Sequence, residues 1–281
     1  MLHSFQVFAP AKVNLFLHVT GKRDDGYHTL QSLMVFADAG DTLSFAEHGG
    51  FIIETAGPFA GALPETEDNL IDRAARLLAA EYDVPRRGKI TLTKNLPVAS
   101  GLGGGSADAA AALRGLARLW NLPEDVARLR TLGLRLGADV PACIDSRAVF
   151  ADGIGDILTA VPDMPALHLV LVNPRVPVPT AEVFKRRQEN FSAPLPVPEK
   201  ITPDFLGMCR NDLTQAASAV APEIGDVLQA IGKTNGCRLA RMSGSGATCF
   251  GFYAEAYLAR QAEESLAAAH PSWWIRAAKV I

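Results

Sequence analysis

Gly101, Gly103, Gly104 and Gly105 fall within five residues, and Ser106 follows them at the head of an alanine-rich run. A backbone almost free of Cβ atoms lets consecutive N–H groups turn toward one anion. A helix start behind it adds a hydroxyl and the positive end of a dipole. The chemistry this spacing suits is the holding of phosphate. Two well-known cradles fail. A P-loop needs Gly-x-x-x-x-Gly-Lys-Ser/Thr, and here Ala107 and Asp108 come after Ser106, with no lysine after the last glycine. A dinucleotide fingerprint counted from Gly101 has Ser106 at its sixth position, which disfavours a nicotinamide-dependent oxidoreductase. On the glycines alone, a plain strand-to-helix turn stays open.

Other reactive side chains are scattered along the chain. Lys12 and Asn14 share one face of a strand pattern over residues 4–19, opposite the alternating Val13, Leu15, Leu17 and Val19. By pattern, a solvated lysine is the ordinary outcome there. Asp139 precedes Val140 in GADVPAC, where it can cap a short helix; an aspartate at a helix start also stays ionised and rigid. Tyr27 and His28 follow the turn signal Asp24-Asp25-Gly26. Asn69, or its neighbour Asp68, reads as the N-cap of an amphipathic helix. Ser243-Gly244-Ser245-Gly246 reads as a flexible hairpin.

The elements that must position these residues alternate between strand and helix. Strands are expected at residues 29–37, 41–46 and 51–54, as an antiparallel set, and at 89–93 leading into the glycine loop. A helix at 106–120 follows, then one from Pro123 to Leu136 with proline in its first turn and Gly137 at its end. A hairpin around Asp152-Gly153 joins 148–151 to 157–160, and Pro162 with Pro165 marks a candidate boundary. Beyond it come a strand at 168–172, a helix at 180–188 and an extended loop with Pro194, Pro196 and Pro198. Helices at 211–220 and 222–233, strands at 238–242 and 247–253, a helix at 255–270 and a strand at 273–281 complete the chain. The mixture is α+β.

The 281 residues suffice for two ordinary domains or one large one. A formal net charge of −3 argues against a nucleic-acid or anionic-membrane partner, which needs a basic excess. Phosphate would then be held by backbone N–H groups, Mg²⁺ and a few chosen lysines. Cys143, Cys209, Cys237 and Cys249 show no C-x-x-C pair, so reduced thiols are expected rather than disulfides or a zinc site. The start MLHSFQVFAPAKV lacks a basic leader and a long apolar core, and no apolar run is long enough to span a bilayer. A cytoplasmic location is the expectation.

PVASGLGGGSA, at Pro97–Ala107, resembles the second motif of the GHMP kinases, which hold the ATP phosphates in such a loop. PAKVNLFLHV at Pro10–Val19 and MSGSGATCFGF at Met242–Phe252 are similar to motifs at the two ends of that family's chains. GYHTLQSLM at Gly26–Met34 and GADVPAC at Gly137–Cys143 narrow the resemblance to the branch that phosphorylates a cytidyl diphosphate sugar alcohol for isoprenoid precursors. The matching segments span nearly the whole chain.

The resemblance implies an α+β GHMP kinase fold. Residues 1–161 would form an N-terminal α/β domain with a left-handed βαβ crossover, and residues 162–281 a ferredoxin-like domain, with substrates in the cleft between. The general rule for such crossovers is the opposite hand. It also implies transfer of the ATP γ-phosphoryl group to the acceptor's 2-hydroxyl with Mg²⁺ present, Asp139 as general base and Lys12 as the cation at the developing alkoxide. Pro97, Val98, Ala99, Ser100, Gly101, Leu102, Gly103, Gly104, Gly105, Ser106 and Ala107 would wrap the phosphates, with Asn69 near the nucleoside. Asn14 and Thr180 fall to the acceptor, Tyr27 and Phe184 to the two faces of its cytosine, and His28 to the base edge. Gly244, Ser245 and Gly246 would pack against the glycine loop. No metal ligand is implied beyond Ser106. A homoserine or mevalonate-type kinase is disfavoured by Tyr27, His28 and Phe184. A non-catalytic nucleotide-binding regulator would be expected to lack Lys12 or Asp139. Oligomeric state is left open.

Overall fold

The computed structural model describes residues 4–63, 69–161, 164–188 and 190–281. Asp68, the alternative cap, and Pro162, half of the candidate boundary, lie outside them. In chain order the elements are β1 (Phe5–Lys22), β2 (His28–Ala46), β3 (Phe51–Ala56), α1 (Leu70–Tyr82), β4 (Gly88–Thr93) and α2 (Gly104–Leu119). Next come α3 (Val126–Leu134), α4 (Val140–Asp145), β5 (Val149–Asp152), β6 (Ile157–Ala160), β7 (His168–Asn173), α5 (Thr180–Arg186) and α6 (Pro203–Met208). The chain ends in α7 (Thr214–Val220), α8 (Glu223–Gly232), β8 (Leu239–Met242), β9 (Cys249–Tyr253), α9 (Ala256–Ala269) and β10 (Trp274–Lys279). Among the described residues no helix is long and apolar enough to cross a membrane.

Two compact units interleave along this chain. One gathers the chain up to Ala11, Gly40–Val98 and Gly103–Ser146; the other gathers Lys12–Ala39, Ala99–Leu102 and Arg147–Ile281.

In the first unit the C-terminal half of β2 pairs antiparallel with β4, Thr42 opposite Thr93 and Ala46 opposite Lys89. β3 pairs with β4 in parallel, contrary to the antiparallel expectation. The reason is α1: a helix between the two strands returns the chain to the same end, which parallel pairing requires. Ile71, Ala74, Ala75, Leu78 and Ala79 recur at helical spacing and bury one face of α1. α2 is alanine-rich because it lies close to the sheet: a Cβ at Gly115 would sit 2.1 Å from the Phe45 ring. The runs expected at 29–37 and 41–46 are one strand, because Gly40 lets β1 come close enough that a Cβ there would lie 2.3 Å from the Ala9 carbonyl oxygen. α3 is shorter than expected. Asp125 accepts from the Arg128 N–H and caps it, so Pro123 precedes the helix instead of opening it.

In the second unit β10, β7, β9 and β8 form, in that order, an antiparallel sheet. With helices between β7 and β8 and α9 between β9 and β10, this is the ferredoxin-like order expected. Val170, Val172, Ile224, Val227, Ile231, Ala262 and Leu266 form its core. The N-terminal half of β2 pairs with β5, and β5 with β6 in the expected hairpin. β1 departs from its pattern: both faces are buried from Ala9 to Val19, and Lys12 and Asn14 are 5% and 1% exposed. The segment before α7 explains this for the second unit's part of β1. The Val19 N–H donates to Asp212 Oδ2, Leu17 N–H to the Arg210 carbonyl and Asp212 N–H to the Leu17 carbonyl. α6, capped by Thr202, was not expected at all; six residues are too few to show a helical period.

Candidate active site

The glycine loop has left-handed residues at alternate positions, with φ of 50° at Ala99, 79° at Gly101 and 62° at Gly103. Such alternation is the backbone pattern of anion-binding concavities. Gly101 is irreplaceable on space as well as φ: a Cβ there would lie 2.4 Å from the Ser243 carbonyl oxygen and 2.9 Å from that of Gly246. Gly103 is the N-cap of α2, with no side-chain cap and no acidic residue in the first turn. The first amides of α2 therefore keep their positive end for a ligand. Leu102 and Ala107 are buried, while the glycines between them and Ser106 stay accessible. Pro97, Val98 and Gly103–Ala107 belong to the first unit, and Ala99–Leu102 to the second.

In the second unit, β1 and the Ser-Gly-Ser-Gly turn close on the loop. Ser243 Oγ donates to the Gly101 carbonyl at 2.9 Å and accepts from the Asn14 N–H at 3.0 Å. The Thr248 N–H donates to the Ser100 carbonyl, and the Lys12 N–H to that of Leu102. Lys12 Nζ donates to Asn14 Oδ1 at 2.7 Å, and Asn14 Nδ2 to Ser32 Oγ at 2.7 Å, so the amide orientation is fixed and the lysine is aimed by it. Asn211 staples the turn: its Nδ2 donates to the carbonyls of Met242 and Gly244, both at 2.8 Å, and its Oδ1 accepts from the Leu213 N–H. Thr180 Oγ1 and Ser245 Oγ are 2.8 Å apart. A Cβ at Gly244 would lie 3.1 Å from the Gly101 carbonyl oxygen, and Gly246 has φ 89°.

Also in the second unit, the His28 and Phe184 rings stack with centroids 5.0 Å apart and planes 25° apart. Burial, then the charges of Lys22 and Arg187, push the His28 pKa down, so the imidazole is neutral near pH 7. A neutral ring both donates and accepts, which suits a base edge. Tyr27 is 64% exposed beside it.

In the first unit Asn69 is the cap of α1, its Oδ1 accepting from the Ile71 N–H at 2.9 Å. It also lines a cavity of about 200 Å³ with Leu63, Leu70, Ile71, Leu92, Gly105 and Asp108. Asp139 precedes α4 but makes no side-chain cap, which corrects the capping alternative. The Val140 N–H bonds instead to the Gly137 carbonyl, and Asp139 itself has helical φ/ψ.

Lys94, Asp41 and Asp108 escaped the sequence reading. Lys94 Nζ donates to Asp41 Oδ2 at 2.5 Å and to Asp108 Oδ2 at 2.6 Å, all three side chains buried. Asp41 Oδ1 accepts from the N–H groups of Asn95 and Leu96, fixing the chain just before Pro97. Burial works to lower the Lys94 pKa, but the two carboxylates overcome it and raise it. Burial pushes Asp108 up to about 7 against the pull of Lys94. One signal was available: a lone aspartate inside the alanine run of a buried helix demands a partner. Asn211 and Ser243 carry no such signal. Among the described residues no three or more His, Cys, Asp or Glu side chains converge as a metal cage.

Residues 69–147 match the family model described as the GHMP kinases N terminal domain, and residues 205–272 that described as GHMP kinases C terminal. The chain belongs to the GHMP kinase family, a family of phosphotransferases whose co-substrate is ATP. Within it, the chain is 52% identical over 99% of both chains to a 4-diphosphocytidyl-2-C-methyl-D-erythritol kinase of Paramagnetospirillum magneticum. To the enzyme of that name from Cereibacter sphaeroides it is 49% identical, covering 98% of this chain and 99% of the other. A crystal structure of 4-(cytidine 5'-diphospho)-2C-methyl-D-erythritol kinase superposes with a TM-score of 0.82 at 32% identity, covering 99% of this chain and 100% of that one. The fold extends to a homoserine kinase from Cytophaga hutchinsonii, with a TM-score of 0.74 at 18% identity over 99% of this chain and 95% of that one.

Proposed function

We propose that this kinase transfers the γ-phosphoryl group of ATP to the 2-hydroxyl of 4-diphosphocytidyl-2-C-methyl-D-erythritol, a step of non-mevalonate isoprenoid precursor synthesis. One observation carries the reading: β1, the glycine loop and the Ser243–Gly246 turn are hydrogen-bonded together, in a chain 52% identical throughout to a relative of that name. The acceptor hydroxyl is tertiary and a poor nucleophile. Asp139 takes its proton, and Lys12, aimed by Asn14, supplies positive charge to the alkoxide that develops. Amides from Gly101 to Ser106 hold the phosphates, so the chain's contribution is positioning and fixed charge rather than covalent chemistry. Mg²⁺ on a nucleotide takes most of its oxygens from phosphate and water, so one protein hydroxyl fits it; Ser106 at the head of α2 is that group. When bound, the ion neutralises charge on the transferred phosphoryl group. Tyr27 and Phe184 cover the cytosine faces, His28 reads its edge, and Thr180, tied to Ser245, contacts the acceptor. The sequence modules divide at 161/162, the enzyme works in the cytoplasm, and its partners are these small molecules rather than nucleic acid or membrane.

The test is direct. Purified protein is incubated with ATP, Mg²⁺ and the cytidylated acceptor, and phosphorylated product is sought by mass spectrometry. Consumption of ATP only when acceptor and Mg²⁺ are both present is expected. Equal turnover with mevalonate or homoserine would move the chain to another branch of the family.

A further inference from the structure

Among the described residues five other than glycine have left-handed φ: Asp83, Ala99, Asn121, Ser146 and Arg175. Asp83 and Ser146 close α1 and α4, and Asn121 follows the last turn of α2, the ordinary place for such a residue. Ala99 lies in the glycine loop. Arg175, at φ 61°, ends no helix. It follows β7, where a left-handed arginine costs stability that a glycine would not. The segment that holds it is tied at both ends to the turn at 243–248. At one end Asn173, 2% exposed, donates from Nδ2 to Thr248 Oγ1 at 2.9 Å, and its Oδ1 accepts from the Arg175 N–H at 2.7 Å. At the other, Thr180 Oγ1 lies 2.8 Å from Ser245 Oγ. Pro174, Pro177 and Pro179 stiffen the stretch between. The same turn reaches the glycine loop, since the Thr248 N–H donates to the Ser100 carbonyl at 3.0 Å.

We propose that Arg175 binds phosphate in the nucleotide site, its guanidinium pairing with the polyphosphate held at Ala99–Leu102. The proposal rests on reading the glycine loop as the ATP phosphate site, and Arg175 belongs to the same unit as Ala99–Leu102. One buried amide, Asn173, sets the backbone of the arginine and, through Thr248, meets the backbone of the loop. Strain kept at such a place points to function, because a glycine would relieve it. A polyphosphate there also needs charge. The chain carries a net −3, Lys12 is assigned to the acceptor's alkoxide, and Lys94 is held between Asp41 and Asp108. Arg175 is the one charged residue from Asn173 to Thr180, and it is exposed where a ligand can reach it. A guanidinium offers a planar fork that bonds two phosphate oxygens at once.

The experiment measures Kd for ADP and CDP by calorimetry, at low and at high salt, with the wild-type chain and Arg175→Gly. Glycine accepts φ 61° without strain, so the variant is expected to keep a cooperative thermal transition. Its ADP affinity is expected to fall by about five- to thirtyfold at low salt. The gap narrows at high salt, because what is lost is a charge on an exposed side chain. CDP binding stays within about twofold of wild type. Unchanged ADP affinity overturns the proposal, as does a loss that salt does not alter. An equal loss for CDP also overturns it and places the arginine at the acceptor's diphosphate. If Arg175→Gly fails to fold, Arg175→Asn, which also tolerates left-handed backbone, takes its place in the same comparison. A wild-type chain that binds no ADP overturns the ATP reading beneath the proposal, a distinguishable failure.

Discussion

A capping aspartate and a catalytic one make opposite predictions on substitution. Asp139→Asn keeps the shape of the side chain and removes the base, and is expected to lower kcat by roughly 10²–10⁴ in a chain that still folds. Turnover close to wild type would remove its role as base. The cytosine contacts proposed for Tyr27 and Phe184 make a separate prediction. Stacking on an aromatic side chain contributes about 1–3 kcal/mol per base, so Phe184→Ala and Tyr27→Ala should each weaken CDP binding by about tenfold to a hundredfold, with ADP binding unchanged. CDP affinity that survives both would place the cytidyl group elsewhere. Lys12, Asn14, Tyr27 and His28 drew notice through motifs that resemble the GHMP kinases, since by pattern alone Lys12 reads as a solvated lysine and His28 as a loop residue. What Ser243 and Asn211 do was not legible, because it depends on partners far along the chain: Ser243 reaches Asn14 across 229 residues, and Asn211 reaches Gly244 across 33. No local pattern reports such a contact. The Lys94 triad was half legible, since Asp108 announced a need that only the fold could say Lys94 meets.

At the scale of elements, the glycine loop is set by what surrounds it as much as by its own sequence. Gly101→Val adds a branched side chain at φ 79° and drives its Cβ into the Ser243 carbonyl, which is backbone and cannot swing away. The turn and the loop must then separate. ADP affinity is expected to fall more than tenfold while the thermal transition stays cooperative, a combination read by calorimetry and circular dichroism. Unchanged affinity would make the loop a structural turn. Helices α1, α2, α8 and α9 were legible in position to within a residue or two, because their periodicity is long and their apolar faces bury as written. Strands were legible in place and the β5–β6 hairpin in its pairing too, but elsewhere pairing was missed: β3 runs parallel to β4 because α1 lies between them, and β2 passes unbroken through Gly40. The polar residues of β1 read as a solvated face. They are buried with their polar groups met: Lys12 donates to Asn14 within β1, and Asn14 donates to Ser32 on β2, a partner that the sequence of β1 does not show.

For the whole molecule, the order of motifs along the chain and the units that fold are different divisions. The ferredoxin-like sheet lies wholly within residues 162–281, which suggests that this segment folds alone. The contacts argue otherwise. Leu17 and Val19 of β1 share a core with Val172, Val227 and Ile231, and the main chain of β1 bonds to Arg210 and Asp212. Arg241 is 7% exposed and has its guanidinium held by the carbonyls of Leu206, Cys209 and Leu15, so a cut before residue 162 takes the last of these away. Burial already pulls its pKa down to about 10, and an unfilled donor on a buried cation costs about 1–3 kcal/mol or more. Opening the Leu17 and Val19 sites adds a loss of about 1.5–3 kcal/mol for each side chain no longer covered. Against a total stability of about 5–15 kcal/mol for a domain, these losses leave little margin. Residues 162–281 expressed alone should therefore give poorly dispersed amide resonances and no cooperative melt, and residues 1–161, which lose the partners of Val19 and Asn14, should fare no better. Mixing the two fragments should restore a cooperative transition. A sharp melt from residues 162–281 by themselves would show that β1 decorates this unit instead of completing it.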